Sequence, residues 1–259
     1  MSNSPALLTL KNIGISFGGL QAVKKVSFQV FDGQIKALIG PNGAGKTTLF
    51  NLITGMLTPD RGEILFQGQV IQGLAPHQIA TRGISRTFQI VQLFGHMTVL
   101  ENVMVGRHVR TRAGLLAAAL RLPWSRREEA VIRARSLEWL DFVGLPDRAH
   151  DLAANLPLGH QRLLEIARAL ATDPKLLLLD EPAAGLDITE TERLKDLIYA
   201  IRAQGVSVLL VEHDMSLTME VADEIVVLDH GDLLAEGEPR QIQRHPAVIA
   251  AYLGQDWEK

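Results

Sequence analysis

No cysteine occurs anywhere in the 259 residues. That excludes disulfides, thiolate metal sites and a cysteine nucleophile, and it fits a reducing compartment. Long hydrophobic runs are missing as well. The longest apolar stretches are residues 113–122, broken at Arg121, and 176–179. Both fall short of the roughly 20 apolar residues that a membrane-spanning helix needs. The opening Met1-Ser2-Asn3-Ser4-Pro5 lacks the charged-then-apolar layout of a secretion signal. Any membrane process is therefore expected to be served from the cytoplasmic face. Nor is there a charge excess: the formal net charge is -3, which offers no basic footprint for nucleic acid. Internal repeats and low-complexity tracts are absent. What remains, 47% hydrophobic and 21% charged, is the composition of an ordinary folded domain.

The pattern along the chain is α/β. Residues 8–17 alternate loosely, and residues 27–31 run into Asp32-Gly33, a hairpin-type turn signal followed by a buried strand over 35–39. A second hairpin is expected over 63–71, around Gly68. From about 101 to 170 the period becomes helical, most clearly over 128–143. Short apolar runs at 176–179, 206–211 and 224–228 then alternate with helical stretches such as 190–202. That alternation marks a parallel sheet covered on both faces. Residues 246–253 read as a short last helix. The expected layout is one domain in three stretches. Residues 1–94 hold an antiparallel β lobe and the first part of the core, residues 95–172 an inserted helical lobe, and residues 173–259 the rest of the core.

Gly40-Pro41-Asn42-Gly43-Ala44-Gly45-Lys46-Thr47 fits the phosphate-loop pattern G-x-x-x-x-G-K-[ST], and Thr48 follows it. The context agrees, an apolar strand before and a helical run over 48–55 after. Glycines let backbone N–H groups turn inward around phosphate oxygens, at the positive end of a helix. Lys46 is expected to reach the β- and γ-phosphates and the Thr47 hydroxyl to ligate Mg²⁺. A chance match in a chain this long has odds of roughly one in a hundred. Asp180-Glu181 closes the strand 176–179, at the carboxyl end where open α/β sheets bind ligands. Asp180 is expected to hold Mg²⁺ through water and Glu181 to polarise an attacking water. Alone, such a pair merely begins a loop; downstream of a phosphate loop it completes a P-loop NTPase.

The remaining motifs resemble those of ABC ATPases. Leu156-Pro157-Leu158-Gly159-His160 stands where that family has Leu-Ser-Gly-Gly-Gln, and it runs into a helix over 163–171. Gln89 stands at the Q-loop, Ala184-Gly185-Leu186-Asp187 at the D-loop and His213 at the switch histidine. Phe17 stands where an aromatic stacks on adenine, although a phenylalanine in a β lobe also reads as core. Asp187 also reads as a helix N-cap, and His213 as a loop residue before a helix. The resemblance covers nearly the whole chain and implies a RecA-like core binding ATP and Mg²⁺, with Gln89 joining Thr47 and Asp180 around the metal. It also implies catalysis by Glu181, Gln89 and His213. The working form it implies is a head-to-tail dimer in which Leu156 to His160 and Asp187 face the ATP of the opposite copy. Pro157 departs from the pattern, having neither the hydroxyl nor the N–H of serine, and His160 replaces the final glutamine.

The run Ser85-Arg86-Thr87-Phe88-Gln89 on to Phe94, the run Met97 to Asn102, Asp180 to Asp187 and the ending Ala250-Ala251-Tyr252-Leu253-Gly254 resemble the ATPase of branched-chain (hydrophobic) amino-acid importers, of the type with an enlarged helical lobe. The implied partners are two membrane-spanning permease subunits, a second ATPase subunit and, indirectly, an extracytoplasmic solute-binding protein; nucleic acid is not among them. Residues 107–127 mix six arginines with leucines and Trp124, a pattern that suits either lipid headgroups or a helix packed on its own lobe. An ATPase of a urea, amide or lipid transporter would share nearly every motif. Non-transport ABC ATPases carry long coiled-coil inserts or a fused second cassette, which this chain lacks. A GTPase would carry an Asn-Lys-x-Asp segment.

Overall fold

The computed structural model describes residues 5–107 and 123–253. Two sheets organise it. The first is antiparallel, in the order β2-β1-β4-β5, from β1 (Ala6–Phe17), β2 (Leu20–Phe31), β4 (Arg61–Phe66) and β5 (Gln69–Val70). The second has the order β10-β9-β3-β8-β7-β6. Its strands β3 (Ile35–Ile39), β6 (Ile84–Arg86), β7 (Leu176–Asp180), β8 (Ser207–Val211) and β9 (Glu224–Asp229) run parallel, and β10 (Asp232–Gly237) closes the edge antiparallel.

Every residue of β3, β7 and β8 is buried, as strands covered on both faces require. Alternate residues feed different cores. Leu177 and Leu179 face helices α3 (Val99–Arg107), α5 (Leu158–Leu170) and α6 (Ile188–Ala203). Leu176 and Leu178 face the antiparallel sheet and α1 (Lys46–Ile53). A smaller cluster seats Tyr252 of α9 (Pro246–Leu253) beneath β3 and β9. The remaining helices are α2 (Pro76–Arg82), α4 (Pro123–Phe142), α7 (Met215–Val221) and α8 (Pro239–Ile242).

The expected α/β architecture is observed, with α3, α4 and α5 inserted between β6 and β7. Two details differ from the sequence reading. Asp32-Gly33 is a turn but not a hairpin, because β2 and β3 lie in different sheets. A strand buried at every position, its one charge (Lys36) paired with Glu224 and Glu236, gains most in the two-faced sheet, so the chain crosses over instead of folding back. The hairpin around Gly68 does form, joining β4 to β5. The signature helix begins at Leu158 rather than 163, and Pro157 is its N-cap, one position ahead of the first turn. The basic insert lies mostly in 108–122, and Gly254 ends the family-like tail; both fall outside the described residues. Among the described residues no helix is long and apolar enough to cross a membrane.

Candidate nucleotide site

Two of the loop glycines cannot be replaced sterically. A Cβ on Gly40 would lie 2.2 Å from the Leu228 carbonyl oxygen, and one on Gly45 2.6 Å from that of Ala22. Both also have positive φ, +152° and +105°, where only glycine sits without strain. The loop is pinned from outside by the Gly231 N–H, which donates to the Ala44 carbonyl at 3.1 Å, and from within by the Ala44 N–H, which donates to Pro41. Asn42 and Gly43 project into solvent, while Thr47 is exposed and Thr48 half-buried on the first turn of α1. Lys46 is buried, and its Nζ donates to the carbonyls of Gly40 (2.6 Å) and Pro41 (3.0 Å). Burial pushes the Lys46 pKa below the usual lysine value, against the pull of the Glu181 and Asp180 carboxylates. From below, burial pushes the Tyr252 hydroxyl up to about 12, opposed by a hydrogen bond to the Gly40 backbone.

The acidic pair stands at the end of β7. Asp180 is 1% exposed. Its Oδ2 accepts from Arg86 at 2.6 Å, while Oδ1 is buried without a hydrogen-bond partner. Glu181 turns at φ +49°, and its backbone N–H donates to Val211 at 2.8 Å. Its two carboxylate oxygens then meet two loops: Gln89 Nε2 donates to Oε2 at 2.7 Å, and His213 Nε2 lies 2.8 Å from Oε1. Glu212 supports this arrangement from behind. Its carboxylate accepts from the Ala183 N–H (2.6 Å), the His213 N–H (2.9 Å) and the Asp214 N–H (3.3 Å), tying the two loops together. His213 does not cap the following helix, since Asp214 holds the N-cap of α7 through the Leu217 N–H.

A second group forms around the signature loop. Leu156 is buried and its carbonyl accepts from Gln161 Nε2 at 2.8 Å. Pro157 and Leu158 are exposed, and the buried Gly159 sits where a Cβ would lie 2.2 Å from Glu190 Oε1. His160 is half-buried, its Nδ1 without a partner. Asp187 is the N-cap of α6 in a capping box with Glu190, and Gly185 abuts Leu158. The signature loop and the Asp187 loop of one copy are thus packed neighbours.

Phe17 ends β1 with 47% of its surface exposed, so it is not core. Sequence reading missed Arg86, Asn51, Glu212 and Glu165. Glu165, on α5, accepts from the backbone N–H groups of Phe88 (3.3 Å) and Gln92 (3.4 Å), and Arg162 donates to the Phe88 carbonyl. The helix behind the signature loop thereby grips the segment around Gln89. Of these residues Arg86, Asn51 and Glu165 lay inside stretches already singled out, but none was singled out as a site residue.

A phosphate loop on a parallel sheet, an acidic pair at its edge and an inserted helical lobe define a P-loop ATPase of the ATP-binding-cassette class. The chain belongs to the ABC transporter family, whose description matches residues 23–184. A second description, branched-chain amino acid ATP-binding cassette transporter, matches residues 233–258. Over 253 residues the chain is 46% identical to the high-affinity branched-chain amino acid transport ATP-binding protein LivG of Escherichia coli (strain K12), covering 97% of this chain and 99% of that one. It has the same identity and coverage with the protein of that description, BraF, in Pseudomonas aeruginosa. Among solved structures it resembles the ADP conformation of an ATP-binding cassette of an ABC transporter, with TM-score 0.85, 32% identity, and coverage of 97% and 100%. A dimeric post-hydrolysis cassette bound to ADP and Pi is similar at TM-score 0.76 and 27% identity, over 90% of this chain and 99% of that one.

Proposed function

We propose that this ATPase powers uptake of branched-chain or other hydrophobic amino acids, from the cytoplasmic face of the inner membrane. Support comes from what its relatives are described as transporting and from the matching tail at 233–258. In this reading the backbone of residues Gly40 to Thr48 cradles the phosphates and Lys46 spreads the charge of the β- and γ-oxygens. Phe17 carries the adenine. Glu181 accepts a hydrogen bond from the attacking water and draws its proton, held in place by Gln89 on one oxygen and His213 on the other. Leu156 to His160 and Asp187 close over the nucleotide of a second ATPase subunit.

Mg²⁺ fits this site. A buried carboxylate oxygen with no hydrogen-bond partner, Asp180 Oδ1, suits a hard cation or its water shell. Thr47, Gln89 and Asp180 would hold it, and it would neutralise charge on the phosphates. Two permease subunits receive the motion, and we assign to them the cleft of about 320 Å³ lined by Phe88, Gln92, Phe94, Val105 and Arg168, whose first two residues flank Gln89 in the chain. Ile90, 78% exposed, stands next to it in sequence.

The observation that carries this reading is the double grip on Glu181. Glu181→Gln should keep ATP affinity, lose turnover by roughly 10² to 10⁴-fold and accumulate an ATP-bound dimer. Near-wild-type turnover would remove Glu181 from the mechanism. In liposomes holding the permeases, solute-binding protein and second ATPase, branched-chain amino acids should stimulate hydrolysis. Stimulation by urea, an amide or a lipid alone would reassign the solute.

A further inference from the structure

We propose that Arg86 and Asn51 act as a positioning pair that keeps one oxygen of Asp180 open to the metal. The inference rests on the reading of Asp180 as an Mg²⁺ residue. Arg86 ends β6, in register with Leu178 of β7, so its side chain emerges at the sheet edge beside Asp180. Its guanidinium lies over the rings of Phe50 (5.4 Å) and Phe88 (5.2 Å). The ion pair is dry, with side chains 6% and 2% exposed.

A guanidinium fork meeting a carboxylate in a dry site normally takes both oxygens. Here the fork is split. NH2 donates to Asp180 Oδ2 at 2.6 Å, and NH1 is drawn off to Asn51 Oδ1, also at 2.6 Å. Asp180 Oδ1 is therefore left buried and unpaired, an arrangement that costs free energy unless a ligand satisfies it. Asn51 sits on α1, five residues beyond Lys46, so the same link fixes Asp180 relative to the helix that carries Lys46 and Thr47.

The pair can be tested without measuring hydrolysis. Mn²⁺, standing in for Mg²⁺, is titrated by electron paramagnetic resonance with saturating ADP, and ADP binding in EDTA is measured alongside. Arg86→Met keeps bulk between the rings but frees the carboxylate to rotate. Asn51→Leu releases NH1 to close on both oxygens. Each should weaken Mn²⁺ at least about tenfold, equivalent to about 1.4 kcal/mol, with ADP affinity in EDTA unchanged. The double variant should be no worse than Arg86→Met alone, because Asn51 acts only through the guanidinium; a merely structural pair predicts no such pattern. Wild-type or tighter Mn²⁺ binding in Arg86→Met overturns the proposal, as does additivity in the double variant. If Arg86→Met does not fold, Arg86→Lys, whose point charge cannot span both partners, is held to the same tenfold threshold. Asp180→Asn separates the two claims. Unchanged Mn²⁺ affinity there defeats the metal reading itself, whereas loss there with none in Arg86→Met defeats only the pair.

Discussion

At the scale of the residue, Phe17 and Glu212 make opposite kinds of prediction. Phe17 is half exposed at the end of β1 and pairs with Leu20, so removing its ring empties little core. Phe17→Ala should weaken ATP binding by about 1–3 kcal/mol, the range found for base–aromatic stacking, with little change in melting temperature. A large melting shift at unchanged affinity would make it structural. Glu212 is buried, and burial outweighs its three backbone donors, raising its pKa above the ordinary glutamate range. The folded state therefore holds that proton more tightly than the unfolded chain does. The contribution of Glu212 to stability is full below the unfolded pKa and declines as pH rises through the folded one. Glu212→Gln should cost most in urea unfolding near pH 4.5 and progressively less toward pH 8; a cost that is flat or grows with pH contradicts this. Neither Glu212 nor Arg86 was legible as a site residue in the sequence. Their partners Ala183 and Asp180 lie 29 and 94 residues away, and no local pattern encodes such pairings. The loop residues were legible because backbone geometry demands glycine at fixed spacing there.

At the scale of the element, the apolar runs announced β3, β7 and β8, since two-faced burial leaves each only one polar residue (Lys36, Asp180 and Ser207) to interrupt the run. β6 has only three residues, too few for any period to show. The start of α5 was missed because Leu158 and Pro157 are exposed, so the apolar face begins later than the backbone helix. Packing between elements predicts a further outcome. Gly106, in α3, sits where a Cβ would fall 2.1 Å from the Arg168 carbonyl oxygen of α5. Its φ is ordinary, so the constraint is contact alone. Gly106→Ala should push the two helices apart, at about 1–3 kcal/mol for an overpacked site and about 2–4 °C of melting temperature per kcal/mol. Calorimetry should show this loss while ATP affinity stays near wild type, because the phosphate loop belongs to another core cluster. A wild-type melting temperature would mean that the interface yields freely.

At the scale of the whole molecule, the proposed closure of two ATPase subunits over ATP makes a prediction at Pro157. It is the N-cap of α5 at φ −56° and ψ 155°, with no side-chain cap to the helix. A serine there has two partners within reach of argument: its own helix N–H groups, where an N-cap hydroxyl is worth about 0.5–2 kcal/mol, and the γ-phosphate of the opposite copy. A hydrogen bond to a charged group contributes about 1.5–3 kcal/mol, and two sites per dimer double that. The isolated subunit is therefore expected to be mostly monomeric and a slow ATPase, with closure assisted by its membrane partners. Pro157→Ser in a Glu181→Gln background should raise the ATP-dependent dimer fraction in analytical ultracentrifugation. Loss of proline's rigidity opposes the gain by about 0.4–1 kcal/mol, which is smaller than the phosphate bonds but comparable to a cap. Melting without nucleotide separates the two destinations. A higher melting temperature with no more dimer means that the hydroxyl turns back to cap α5. More dimer at an unchanged melting temperature means that it reaches across the interface. If neither moves, the backbone of the loop and the dipole of α5 suffice, and the missing hydroxyl does not limit closure.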